Sequence, residues 1–176
     1  MNFEKLAYLP LGNNVIIGPK IKKQLKFLKD IVPEEFKEKE LYDLGCGDGK
    51  VTLKLKNIFC PRKLYGCDSN SNLVWRAKRK GIEAEALDLE KETPEGELAV
   101  FWGVLHHLKN QEKVLERIKN NFQYFFLREP LMKNKKSLFE LGNPFFEKDI
   151  DNLLKKTLKN FKKYKYQDSI FVFWER

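Results

Sequence analysis

The sequence predicts a doubly wound α/β fold, a mostly parallel seven-stranded sheet with an antiparallel C-terminal hairpin strand. Three observations carry this. Short apolar runs alternate with helical stripes through most of residues 41–127, and strands separated by helices run parallel through right-handed crossovers. A glycine-rich turn, Gly45-Cys46-Gly47-Asp48-Gly49, follows the first run and opens a helix, which is where such sheets bind ligands. The last two runs, Tyr164–Tyr166 and Ile170–Trp174, flank the polar turn Gln167-Asp168-Ser169 and so pair antiparallel.

The elements follow in order. Ile21, Leu25, Leu28 and Val32 fall three or four residues apart between Pro19 and Pro33, the spacing of a helix with one apolar face. Leu41–Leu44 is the first strand, Val51–Phe59 a helix that Pro61 stops, and Leu64–Cys67 a second strand ended by Asp68. Ser69–Lys80 reads as a helix with Ser69 as N-cap and Gly81 as C-cap. Ile82–Leu87 is a third strand interrupted by two glutamates, and a turn with Pro94 and Gly96 leads to Leu98–Trp102. That run is apolar enough for a strand covered on both faces. Val114, Leu115 and Ile118 mark the next helix, and Phe122–Leu127 the fifth strand. An irregular stretch over 130–144 precedes the stripe Ile150, Leu153, Leu154 and Leu158.

The 176 residues read as one domain, 1–176, in which 1–33 form an N-terminal lid and helix. An apolar fraction of 42% with 13% aromatics excludes disorder. The net charge is +9, from 34 basic and 25 acidic residues, and only six of the basic ones are Arg. Lys with abundant Glu fits a thermophile-like surface, whereas bidentate phosphate recognition favours Arg. The strongly apolar stretch Leu98–Leu108 contains Gly103 and two histidines and falls short of the roughly 20 residues of a membrane span. Cys46, Cys60 and Cys67 have neither zinc-type spacing nor a disulfide framework. They read as reduced thiols of a cytoplasmic protein.

The glycine loop discriminates among ligands. A P-loop needs four residues between its first Gly and the Gly-Lys pair, but three separate Gly45 from Gly49-Lys50, and Val51 follows. A dinucleotide fingerprint needs two residues between its last glycines, and only Asp48 lies between Gly47 and Gly49. What remains is acidic-x-Gly-x-Gly-x-Gly headed by Asp43. Its two carboxylates make a poor pyrophosphate cradle and suit a cofactor that is cationic at that end.

This segment resembles the first motif of the class I S-adenosylmethionine-dependent methyltransferases, which share a Rossmann-like sheet. Leu64-Tyr65-Gly66-Cys67-Asp68, Ala84-Glu85-Ala86-Leu87-Asp88-Leu89, the Leu105-His106-His107-Leu108 run and Phe126-Leu127-Arg128-Glu129-Pro130 fall in register with later motifs. The resemblance implies S-adenosylmethionine as cofactor. Asp43, Gly45, Cys46, Gly47 and Gly49 would form its loop, and Asp68 with Ser69 would hold the ribose. Leu73 would pack on the adenine, Asp88 and Leu89 would border its amino group, and Gly103 would close the site at the fourth strand. Each has a plainer reading, such as a tight turn for Gly45 and Gly49, a helix cap for Asp68 or core packing for Leu73.

The resemblance also implies transfer of the sulfonium methyl without a metal. His106 and His107 lie just past the fourth strand and are the candidate general bases, since imidazole titrates near neutrality; capping or packing is the alternative. Arg128 and Glu129 on the same rim either contact the acceptor or pair with each other, and Tyr8 belongs to the candidate lid. The amide-nitrogen, cytosine-C5 and ribose-2′-O subclass motifs are absent from the segment after the fourth strand. The sequence thus favours a small-molecule or protein acceptor, with RNA as the alternative partner and a catalytically silent cofactor-binding module as the other. The lysines between 133 and 165 carry the case for RNA, with Phe139, Phe145 and Phe146 as stacking surfaces.

Overall fold

The computed structural model describes residues 18–132 and 145–176. Helix α1, Gly18–Ile31, and a 3₁₀ turn, Glu34–Phe36, lead into β1, Glu40–Leu44. Then follow α2 (Thr52–Phe59), β2 (Lys63–Asp68), α3 (Ser71–Lys78), β3 (Glu83–Ala86) and β4 (Gly96–Trp102). A 3₁₀ turn at Leu105–His107, α4 (Gln111–Asn121), β5 (Phe122–Pro130), α5 (Glu147–Thr157), β6 (Lys162–Tyr166) and β7 (Ser169–Glu175) complete the chain.

The seven strands form one sheet in the order β3-β2-β1-β4-β5-β7-β6. The first five strands are parallel, and β7 inserts antiparallel between β5 and β6. The doubly wound sheet with its antiparallel hairpin strand is therefore as expected. The order reverses between β1 and β4, which opens a crevice at the carboxyl ends of those strands.

Alternate residues of β4 feed opposite cores. Leu98 and Val100 join the cluster of α1 and α2, while Ala99 and Phe101 join that of α4 and α5. All four are fully buried, so β4 is covered on both faces. Among the described residues no helix joins β3 to β4, and Tyr42 and Tyr65 stack there with ring centroids 4.7 Å apart. The Tyr42 ring also packs on Gly96, the first residue of β4, where a Cβ would sit 2.3 Å from it.

Several boundaries differ from expectation; helix α3 ends at Lys78 with Arg79 as its C-cap, short of the expected Gly81, because the Arg79 and Gly81 N–H groups close the last turn on Trp75 and Lys78. Helix α3 starts at Ser71, capped by Asn70, whose side chain accepts the Asn72 and Leu73 N–H groups at 3.0 and 3.4 Å. Asp68 Oδ1 accepts the Asn70 N–H at 2.9 Å and holds the chain in a turn that displaces the cap from Ser69. Strand β5 runs on through Pro130 because β7 pairs with it there, Arg128 opposite Phe171 and Pro130 opposite Ser169. No helix among the described residues is long and apolar enough to cross a membrane.

Candidate active site

The glycine loop is fastened to β2. Gly45 and Cys46 donate their N–H groups to the Cys67 carbonyl at 2.7 and 2.8 Å, and Gly47 donates to Asp68 Oδ2 at 3.0 Å. The glycines play different parts. A Cβ on Gly45 would lie 2.5 Å from Val104, and one on Gly49 would lie 2.4 Å from Ile82, so these two permit close packing behind the loop. Gly47, at φ +55°, has nothing within 4 Å of its Cβ position. It faces open space.

That space is a cleft of about 210 Å³. Loop residues Asp43, Gly45, Cys46, Gly47 and Asp48 line it, with Lys50, Val51, Leu73, Arg76 and Trp102. Five of the residues expected at the cofactor thus meet there: Asp43, Gly45, Cys46, Gly47 and Leu73. Asp68 braces the loop from β2, with one oxygen on Gly47 and the other on Asn70. Ser69 is exposed beside it. Asp88 turns its own loop by accepting the Glu90 N–H at 3.0 Å, and the Leu89 side chain packs in the core with α4 and β4 rather than in the cleft. Gly49 is buried against Ala77, and Gly103, at φ +72°, ends β4. Tyr8 lies outside the described residues, as do Phe139 and the residues preceding α1.

Asp43 is buried, and Thr52 Oγ1 donates to its Oδ2 at 2.5 Å. Its Oδ1 has no hydrogen-bond partner among the described residues. Burial pushes this carboxyl up to about 7, the Thr52 hydrogen bond opposing and the nearby Asp68 charge adding to the rise. A buried carboxylate with an unused acceptor calls for a donor from the cleft, best a cation. Burial also pushes the Cys46 thiol far up, which suits a small packed side chain better than a nucleophile. Burial raises the Asp48 carboxyl, but the Lys50 backbone N–H and the charges of Lys50 and Lys80 outweigh it and hold Asp48 low.

On the other side of the β4 exit, Glu129 is fully buried. Its Oε1 accepts the N–H groups of Val104 and Leu105, both at 2.8 Å, and its Oε2 lies 2.6 Å from His106 Nδ1. One carboxylate therefore fixes the whole turn. The His106 ring is buried, His107 is exposed, and their centroids are 4.0 Å apart. Arg128 takes a different route from Glu129. Its guanidinium donates to Ser169 Oγ at 2.7 Å and lies 5.5 Å from the Trp102 ring centroid. As consecutive residues of β5, Arg128 and Glu129 point to opposite faces of the sheet. Sequence reasoning missed Trp102, Arg76, Lys50 and Val51 as cleft residues. Trp102 carried a usable signal, being the last residue of a strand that ends at the crevice.

Residues 20–161 match the family described as a methyltransferase domain. The chain belongs to that family. Solved structures agree on the fold. A mitomycin 7-O-methyltransferase superposes with a TM-score of 0.70 at 15% identity, covering 100% of this chain and 61% of that one. A magnesium protoporphyrin IX methyltransferase from Synechocystis PCC 6803, with bound S-adenosylhomocysteine, gives 0.69 at 15% over 96% of this chain and 88% of that one. An S-adenosylmethionine-dependent methyltransferase from Clostridium acetobutylicum gives 0.70 at 12%, covering 98% of each chain. The present chain thus spans about three fifths of the mitomycin enzyme's length and nearly all of the clostridial one. No curated protein matches the chain by sequence.

The residues present fit S-adenosylmethionine, the cofactor expected for a methyltransferase domain of this fold. The orphaned Asp43 Oδ1 and the open Gly47 position are where a cationic methionine end and a close backbone approach are called for. Leu73 and Trp102 supply apolar walls. The cofactor brings the reactive sulfonium methyl.

Proposed function

We propose that this methyltransferase alkylates a nucleophilic atom of a small-molecule or protein acceptor, and that His106 takes the acceptor's proton. The observation that carries the reading is the buried Glu129 carboxylate 2.6 Å from His106 Nδ1. A carboxylate there keeps the ring proton on Nδ1 and leaves Nε2 as the basic atom. Held by Asp43 and the glycine loop, S-adenosylmethionine would supply an electrophilic methyl group to the nucleophile and leave as the neutral thioether. The acceptor proton passes to His106 Nε2. The same carboxylate stabilises the imidazolium that results.

The remaining residues position. Glu129 holds Val104 and Leu105 through their N–H groups, and Val104 packs on Gly45, so the acceptor-side turn and the cofactor loop are fixed to one another. Arg128 backs Trp102 against the cleft. Among the structural neighbours are a mitomycin O-methyltransferase and a possible histamine N-methyltransferase, which supports a small acceptor. Tritiated S-adenosylmethionine incubated with the purified chain and fractionated cell extract tests the reading. Label is expected in the small-molecule or protein fraction, and to fall at least about a hundredfold with His106→Ala. Cofactor binding with no transfer to any fraction would instead identify a silent binding module, and label confined to RNA would reassign the acceptor.

A further inference from the structure

Positive charge is unevenly spread along this chain. Between Gly49 and Ile82 the sequence carries nine Lys and Arg and a single acid, Asp68, a net +8 in 34 residues against +9 for the whole chain. Helices α2 and α3 come from this stretch and lie on the same side of the sheet, Leu53 of α2 packing against the cluster that α3 builds with Val74 and Ala77. Their buried faces take the apolar residues, which leaves Lys54, Lys56, Trp75, Arg76, Lys78 and Arg79 exposed. The acids of β3 do not neutralise this surface. Ala84 faces α3, so Glu83 and Glu85 point to the opposite side of the sheet.

Several lysines near the C-terminus behave differently. Lys156 pairs with Glu112, Lys163 with Asp151 and Lys165 with Glu147, the mixed-sign pattern of a heat-adapted surface. Among the described residues Lys54, Lys56, Arg76 and Lys78 have no such carboxylate partner; the four ion pairs of the 49–82 stretch use Lys50, Arg62, Lys63 and Lys80. One large apolar side chain stands in this field. Trp75 is 57% exposed, and the Arg79 guanidinium lies over its ring at 4.8 Å. Arg76, its neighbour, lines the cofactor cleft.

We infer that the outer face of α2 and α3 is a docking surface for single-stranded RNA. An exposed indole offers a stacking platform for a base, guanidiniums bind phosphates in bidentate fashion, and flanking lysines track the backbone. A lipid surface would ask for an apolar stripe along the helix, and a single Trp among cations does not make one. The inference concerns docking beside the cleft and holds whichever molecule receives the methyl group.

Fluorescence anisotropy with a labelled single-stranded RNA of about 12 nucleotides, across a salt series, is the test. Saturable binding at about 0.15 M salt is expected, with a steep fall of affinity as salt rises. Trp75→Ala should weaken it about tenfold. Lys78→Glu/Arg79→Glu should weaken it further and flatten the salt slope, whereas the charge-matched Lys148→Glu/Lys155→Glu on α5 should change it less than about twofold. Circular dichroism of each variant separates lost docking from lost folding. No saturable binding, an equal loss in the α5 double variant, or tighter binding to anionic vesicles than to RNA would each overturn the inference.

Discussion

Asp43 and Gly47 make opposite demands on the same cleft. Asp43 presents a carboxyl held at about 7 by burial, and an ammonium bound against its free oxygen favours the ionised form. Binding then releases a proton, so cofactor affinity should rise with pH toward 7 and level off above it, with at most about a tenfold change per pH unit. Calorimetry in buffers of different ionisation enthalpy measures this, and Asp43→Asn should remove it. The sign for stability is opposite. A folded-state carboxyl raised from 3.8 to about 7 stabilises the unliganded protein below pH 4 and loses that contribution as pH climbs through 7. Gly47→Val places a side chain in the open cleft, and should abolish cofactor binding while shifting the melting temperature less than Gly45→Ala. The latter drives a Cβ into Val104 at a φ of +86° and should destabilise by more than about 1 kcal/mol. Asp68→Ala removes the acceptor of the Gly47 N–H together with the expected ribose contact, and should weaken cofactor affinity by about 1.5–3 kcal/mol.

The turn after β4 depends on β5 for its shape. Glu129→Ala would strand the Val104 and Leu105 N–H groups in a buried site, a loss on the order of 3 kcal/mol that chemical denaturation can read. Glu129→Gln keeps one carbonyl oxygen for those two donors but turns an amide toward His106. It should therefore leave most of the stability and slow methyl transfer by at least about tenfold, a split between melting temperature and kcat that a purely structural role would not give. The elements themselves were largely legible in the sequence, because 3.6-residue and unbroken apolar patterns report burial directly. The turn was not. Arg128 and Glu129 read as the polar end of a strand, since nothing in their spacing reveals that β7 lies beside them and buries both. Likewise Ser69 has the chemistry of an N-cap, and only the Asp68–Asn70 hydrogen bond decides for Asn70.

At the scale of the whole molecule, the strand order puts the site where it is. Reversal between β1 and β4 brings Asp43, the loop from Gly45 to Asp48, Leu73, Arg76 and Trp102 together across about sixty positions of sequence. The motifs for the loop and for the acid ending β2 were readable because each is local. The cleft wall from Trp102 and Arg76 was not, since it follows from how α3 and β4 pack around the loop. The central claim is that this cleft holds S-adenosylmethionine and not a nucleotide. Isothermal titration of the purified chain with S-adenosylmethionine, S-adenosylhomocysteine, NAD and ATP measures it most directly. Saturable binding of the first two, lost in Gly47→Val, with no comparable heat from NAD or ATP, is the predicted result. Saturable binding of NAD or ATP with none of S-adenosylmethionine would contradict it.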